Sequence, residues 1–309
     1  MKVLITGGAG YIGSTLIGYL LNKDYEVTVI DNFIYEETSL LPYNSNPKFN
    51  CLRGDSRDIS LLKKHIKNND ILIPLAALVG APLCDRDPQL AFSTNTEAIS
   101  EICKLKDKNQ IILFPMTNSG YGIGGQEMCT EESPLNPLSI YGKTKVEAEK
   151  YITETDNFIS FRLATVFGIS NRLRLDLLVN NFVWRALKDN FIVLYESHFR
   201  RNYIHVRDVC RCFCFAIDNI QKMKNNVYNL GLSSANLTKR ELCEKINLHT
   251  NNFSIFESEI SNDQDKRDYI VSNEKIESFG FEAKFDLDYG INELIKVYNY
   301  IDTKFYSNY

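Results

Sequence analysis

The chain opens MKVLITGGAGYIG, a short apolar run that breaks into glycines and then into a helix-forming stretch. That order constrains the fold more than any other feature of the sequence. A strand must run into a turn that only glycine permits, and a helix must open directly behind it. Gly7 suits the tight turn, Gly10 lets backbone approach a pyrophosphate, and Gly13 permits close helix–strand packing. The helix start, at Tyr11 and Ile12, offers unsatisfied N–H groups and a positive dipole end to phosphates. Asp31 closes the next apolar run, 18 residues after Gly13. A carboxylate there accepts hydrogen bonds from both ribose hydroxyls of an adenosine and repels a 2′-phosphate. No Arg or Lys follows it in Asn32-Phe33-Ile34, which favours NAD over NADP. Asp55 and Ser56, after the third strand, are placed to reach the adenine edge.

Beyond this opening, short apolar strands alternate with helical stretches, the pattern of a parallel sheet wrapped by helices. The pattern predicts strands at 2–6, 26–31, 49–53, 71–76, 110–116 and 158–163. Helices are expected at 11–23, 59–68, 89–106 and 140–155. A later helix (206–220) and strand (227–230) return to the same unit. Residues 1–164 with 202–231 form the expected dinucleotide-binding domain, and 165–201 with 232–309 a smaller, irregular lobe. A second glycine-rich loop, Gly120 to Gly125, follows a strand, yet no helix opens behind it.

Composition narrows the function classes. The 309 residues are 44% hydrophobic and 24% charged, and 35 basic against 39 acidic side chains leave a net charge of −4. Such a chain offers no cationic field for nucleic acid or an anionic membrane. No apolar run approaches the length of a spanning helix, and the start does not read as a secretion signal. A cytoplasmic, soluble protein is the expectation. Cys210, Cys212 and Cys214 lie on a predicted helix at i, i+2 spacing, with no CxxC pair or adjacent histidine. They read as buried thiols, and no metal site is expected.

Tyr141-Gly-Lys-Thr-Lys145 puts a tyrosine and a lysine one helical turn apart. The spacing alone says little, because Tyr19/Lys23 and Tyr300/Lys304 repeat it. Tyr141 differs in opening a helix after a proline-marked loop, downstream of the strand-end Thr117. A phenol of pKa near 10 is a poor base at neutral pH. A cationic lysine favours the phenolate, and Thr117 is placed to hold the same substrate oxygen.

Taken together, GGAGYIG, Asp31, Thr117 four residues before Tyr121-Gly122, and YGKTK resemble the extended short-chain dehydrogenase/reductase superfamily, which contains nucleotide-sugar epimerases, dehydratases and dehydrogenases. The resemblance spans essentially the whole chain. It implies a Rossmann-type doubly wound α/β fold, NAD as cofactor, and a homodimer packed through the 89–106 and 140–155 helices. Tyr141 is the implied acid/base, Lys145 the ribose anchor that tunes it, and Thr117 the partner of the substrate oxygen. Leu75-Ala76-Ala77 matches the segment lining the cofactor, and Asn95 a supporting asparagine. On the substrate side the resemblance points to Ser119, Arg174, Asn180, Arg201 and Arg267, the arginines suiting a nucleotide diphosphate.

Dehydratases of this superfamily carry Asp-Glu after the threonine, to cycle protons at the leaving hydroxyl. Asn118 and Ser119 stand there instead, which disfavours a 4,6-dehydratase. A 4-epimerase and a dehydrogenase that stops at the ketone both remain. The blocks IPLAALVGAPLC, FRLATVFGIS, RLRLDLLVN and FRRNYIHVRDV further resemble the branch that oxidises GDP-heptose at C4 in bacterial capsule biosynthesis. That resemblance makes GDP-heptose the expected substrate. Dinucleotide-binding sensors of this fold have typically lost the tyrosine or the lysine, whereas this chain keeps both.

Overall fold

In the computed structural model, which describes residues 1–35, 38–250, 252–258, 267–301 and 308, the first strands alternate with helices as the apolar runs require. The chain lays down β1 (Lys2–Thr6), β2 (Glu26–Asp31), β3 (Phe49–Arg53), β4 (Ile71–Pro74) and β5 (Ile111–Thr117). After β6 (Ile123–Cys129) come β7 (Phe158–Leu163), β8 (Thr165–Phe167), β9 (Phe191–Leu194), β10 (Arg200–His205) and β11 (Asn226–Leu230). A seven-stranded parallel sheet takes the order β11-β7-β5-β4-β1-β2-β3. Every residue of β4, β5 and β7 is buried, the mark of a sheet covered on both faces.

Alternation along β1 separates two cores. Val3 and Ile5 pack with Leu16, Ile17 and Phe213 under the helices Tyr11–Asn22 and Val206–Asp218. Leu4 packs on the opposite face with Leu62, Ile102 and Ile152, under the helices Ile59–Ile66, Ala98–Leu105 and Ile140–Thr153. The chain leaves β1 toward β2 and β3, then returns to its other side with β4. The carboxyl ends of β1 and β4 therefore flank the switch point, where an open α/β sheet has its crevice.

The second half builds a further apolar core around Phe167, Val183, Ile192, Tyr203, Ile246 and Leu294. There β10 pairs in parallel with β8 and antiparallel with β12 (Asn236–Thr238), while β13 (Ser254–Glu257) joins β9. Finally β14 (Asp268–Val271) pairs with β6. The glycine-rich segment after β5 is thus a 3-10 turn, Asn118–Tyr121, followed by a strand. Gly122 adopts φ +69°, and a Cβ there would meet the Asn136 carbonyl at 2.1 Å.

Two expected helices are also revised. The 89–106 run is interrupted by a π-helical turn, Ser93–Glu97, between Pro88–Phe92 and Ala98–Leu105. The helix from Val206 ends at Asp218, and Ile220–Met223 forms a separate turn. Cys210, Cys212 and Cys214 are buried in this helix, and burial pushes each thiol above its ordinary range. No helix among the described residues is long and apolar enough to cross a membrane.

Candidate active site

The switch-point crevice opens into a cavity of about 890 Å³. At its floor, Gly7 has φ +72°, and a Cβ would lie 2.4 Å from the Ala76 nitrogen. At Gly13 a Cβ would come within 2.7 Å of the Gly8 Cα. Bare backbone is therefore required where the turn, the segment Leu75–Ala77 and the first helix converge. Two other helices packed on the sheet, Ile59–Ile66 and Ile140–Thr153, start on a side-chain cap: Asp58 accepts from Ser60 and Leu61, and Ser139 from Gly142. Gly10 starts Tyr11–Asn22 with no side-chain cap, so its first N–H groups are left for an anion. Asp31 lines the cavity with its carboxylate pinned by the N–H groups of Ala9 (2.9 Å) and Phe33 (2.8 Å). Burial raises its pKa despite those bonds, which suits a group awaiting further hydroxyl donors. These features fit a dinucleotide: a glycine cradle for the pyrophosphate and a fixed carboxylate for the ribose.

Other residues read as cofactor contacts share this cavity but have partners of their own. Tyr11 donates its hydroxyl to the Gly168 carbonyl at 2.7 Å. Asn32 accepts from the Ile34 N–H at 3.1 Å. Asp55 is paired with Arg57 at 2.6 Å, which holds it below the usual carboxylate range, and Ser56 is buried beside it.

Thr117, Tyr141 and Lys145 come together at the opposite end of the cavity. Thr117 ends β5, and Tyr141 and Lys145 share a face of the helix Ile140–Thr153. Burial pushes the Tyr141 phenol up to about 12. Arg267, Arg174 and a hydrogen bond to Thr117 pull the other way, while the nearby Cys84 thiol adds to the rise. Lys145 is itself desolvated, its ammonium 4.2 Å over the Phe114 ring, and burial brings its pKa down to about 7. The expected cation beside the tyrosine is thus shared out. Arginines across the cavity supply the field, because a buried lysine resists carrying charge. Of the other YxxxK pairs, Lys23 bonds Asp218 at 2.5 Å on the surface, and Lys304 lies outside the described residues.

Arg172, Arg174, Arg201 and Arg267 line the same cavity. Arg174 pairs with Asp176, and Arg267 donates to Ser119 at 2.6 Å. Ser119 in turn shares a 2.9 Å hydrogen bond with Thr117. Ser119 and Asn180 do not face the cavity; both are buried behind side chains that do. Asn180 spends its amide on backbone, accepting from Gly168 N–H (3.0 Å) and donating to the Arg174 carbonyl (2.9 Å). It shapes the loop that presents Arg174.

Comparison with known proteins settles the family. Residues 3–231 match the family described as NAD dependent epimerase/dehydratase. The chain belongs to that family. NAD is its cofactor. Along its length it is 25% identical to a putative UDP-glucose 4-epimerase of Methanocaldococcus jannaschii, over 95% of this chain and 97% of that one. Its fold matches the dTDP-glucose 4,6-dehydratase of Bacillus anthracis, solved with NAD (TM-score 0.82, 24% identity, 97% and 96% coverage). It also matches the UDP-glucose 4-epimerase of Thermus thermophilus, solved with NAD (TM-score 0.80, 23% identity, 97% and 99% coverage).

For a member of this family, three sets of contacts in and around the site were not legible in the sequence, although Asn95 itself was expected from the resemblance. The Arg172 guanidinium stacks 4.2 Å over Tyr35 at the adenosine end, bringing a cation from the second half close to Asp31. The π-helical turn delivers Asn95, whose amide bonds both backbone groups of Leu78 and the Thr144 hydroxyl, tying the cofactor wall to the Tyr141 helix. Beneath that helix lies a buried charged pair, Glu149 and Arg162. Glycine and tyrosine–lysine spacings are local signals, whereas these contacts join residues 13 to 137 positions apart.

Proposed function

We propose that this family member oxidises the C4 hydroxyl of a nucleotide-activated sugar, with GDP-heptose as substrate and the 4-keto sugar as product. One observation carries the reading. Thr117, Tyr141 and Lys145 all line the cavity, and the two residues that follow Thr117 are Asn118 and Ser119, neither of them a carboxylate. Among the described residues, the acids lining the cavity are Asp31, Asp55, Asp87 and Asp176, and each already has a partner. No acid among them stands free to protonate a leaving hydroxyl, which argues against dehydration.

In this reading the bound dinucleotide supplies the hydride acceptor. Tyr141 takes the C4 hydroxyl proton, and Thr117 holds the same oxygen in line. Ser119 fixes Thr117 from behind. Arg174, Arg201 and Arg267 receive the diphosphate, and its arrival is matched by guanidinium groups already held in place. Residues 1–164 with 202–231 hold the cofactor, while 165–201 and 232–309 close over the sugar nucleotide. The enzyme works as a cytoplasmic homodimer. The choice of GDP-heptose rests on sequence blocks that contribute to the lining of this cavity, through Leu75–Leu83 and through Arg172, Arg174 and Asp176 to Leu178.

A second reading, a 4-epimerase acting on a UDP-sugar, is supported by the name of the M. jannaschii relative. One experiment separates the two. Purified enzyme is mixed with GDP-heptose and, in parallel, with UDP-glucose, and reduced nicotinamide is followed by absorbance. A rise equal to the enzyme concentration that a 2-oxo acid reverses supports the dehydrogenase. A sugar of unchanged mass with inverted C4, and no lasting rise, establishes the epimerase instead. Silence toward GDP-heptose removes that substrate from the proposal.

A further inference from the structure

Behind the catalytic residues, and outside their cavity, lies a buried ionic network that the reaction as described does not use. Arg162 projects from β7, where its backbone pairs with Met116, next to Thr117. Its Nη2 and Nε bond the Glu149 carboxylate at 2.9 and 3.1 Å, and its Nη1 donates to the Tyr121 hydroxyl at 3.1 Å. Ser160 donates to the other Glu149 oxygen at 2.6 Å. Tyr121 is fixed further by Asn229 at 2.6 Å, and Arg162 also reaches the Glu131 carbonyl at 2.9 Å. Arg162, Glu149 and Tyr121 are all more than nine-tenths buried. A buried ion pair is weak as a source of stability, since well-packed apolar residues serve as well. What distinguishes this one is where its ends attach. Tyr121 closes the 3-10 turn that starts at Thr117, and Glu149 follows Tyr141 and Lys145 on one helix face at i, i+4 and i+8.

We propose that Arg162, Glu149 and Tyr121 form a positioning clamp, which sets the Thr117 turn against the Tyr141 helix and keeps a negative charge one turn behind Lys145. The clamp rests on the catalytic reading of Thr117, Tyr141 and Lys145. Its geometric part follows from the sensitivity of catalysis to placement, where misplacement by an ångström costs on the order of 100-fold. Its electrostatic part follows from the surroundings of Lys145 and Tyr141. Glu149 opposes the desolvation of Lys145, Cys84 faces Tyr141 from the helix Ala81–Arg86, and Arg174 and Arg267 face it across the cavity. Removing the Glu149 charge lets Lys145 lose its proton at lower pH.

Three variants test this in the NAD-loaded enzyme. Tyr121→Phe deletes one hydroxyl; kcat on GDP-heptose is expected to fall about 10-fold or more, with KM and NAD content held. Glu149→Gln is expected to move the Lys145 titration, followed through 13Cε-labelled lysine, to lower pH. Glu149→Asp, which keeps the charge, should restore it. An unmoved Lys145 titration in Glu149→Gln overturns the proposal. So does Tyr121→Phe with full kcat, or with a loss that merely follows its melting temperature. If the wild type turns over neither GDP-heptose nor UDP-glucose, the functional reading falls, and the lysine titration alone decides the clamp.

Discussion

Tyr141 holds its proton firmly, with burial lifting the phenol to about 12 and two arginines and Thr117 drawing it back. In its proposed role of taking the C4 proton, it is expected to be indispensable. Tyr141→Phe should lower kcat by about 10²–10⁴-fold while leaving NAD bound, as checked by turnover and by nucleotide released on denaturation. The sign of the arginine effect is also testable. Arg267 favours the phenolate, so Arg267→Gln raises the tyrosine pKa and shrinks the fraction of base at any neutral pH. The acid limb of the kcat/KM profile should move to higher pH, while a vertical drop without displacement would give Arg267 a binding role alone. Gln still offers Ser119 a donor, which keeps the Thr117 contact out of the comparison.

At the scale of elements, the strand–turn–helix at the amino end is both the clearest sequence signal and the tightest piece of geometry. Gly7 combines a positive φ with a Cβ position already occupied by the backbone of Ala76. Gly7→Ala should cost about 1–3 kcal/mol from the backbone conformation alone. It should also push β1 away from the Leu75–Ala77 segment. The expected result is a lower melting temperature together with protein that purifies without NAD. The π-helical turn at Ser93–Glu97 shows the reverse case. Its sequence, STNTE, carries no breaker, and helical periodicity runs on through it. The turn is specified by what Asn95 and Thr96 bond on neighbouring elements, Leu78 and Thr144, and a local pattern holds no record of those partners.

At the scale of the whole molecule, the two halves are stapled over the phosphate cradle. Ser170 donates to the Tyr11 carbonyl at 2.6 Å and meets Ser14 at 3.0 Å, while Tyr11 bonds Gly168 and Asn171 reaches the Ser14 carbonyl. The strap that makes these bonds continues to Arg172, stacked on Tyr35 above the adenosine end. Loosening it should therefore affect cofactor retention as well as stability. Ser170→Ala is expected to cost about 1–3 kcal/mol, since it leaves buried partners unpaired. NAD should dissociate faster from the variant, as measured by the fluorescence of reduced cofactor during exchange. An unchanged dissociation rate with the same stability loss would confine the strap to holding the halves together.

The sequence alone determined the parallel α/β architecture and pointed to the glycine cradle, Asp31 and the Thr117–Tyr141–Lys145 set as candidates. Each of these is written in short-range terms: a strand's alternation, a turn only glycine can make, and a tyrosine–lysine spacing set apart from its two repeats by the proline-marked loop and the strand-end threonine before it. Tertiary structure alone decided the rest. It turned the second glycine-rich loop into a 3-10 turn and the strand β6, completed only by pairing with β14 from the far end of the chain. It showed Ser119 and Asn180 behind the cavity wall, hydrogen-bonded to Thr117 and Arg267 and to the Arg174 carbonyl. It shifted the field on Tyr141 from its own helix to Arg174 and Arg267, because desolvation is a property of the packed interior. A lysine's charge cannot be read from its spacing; it depends on how much water the fold leaves around it.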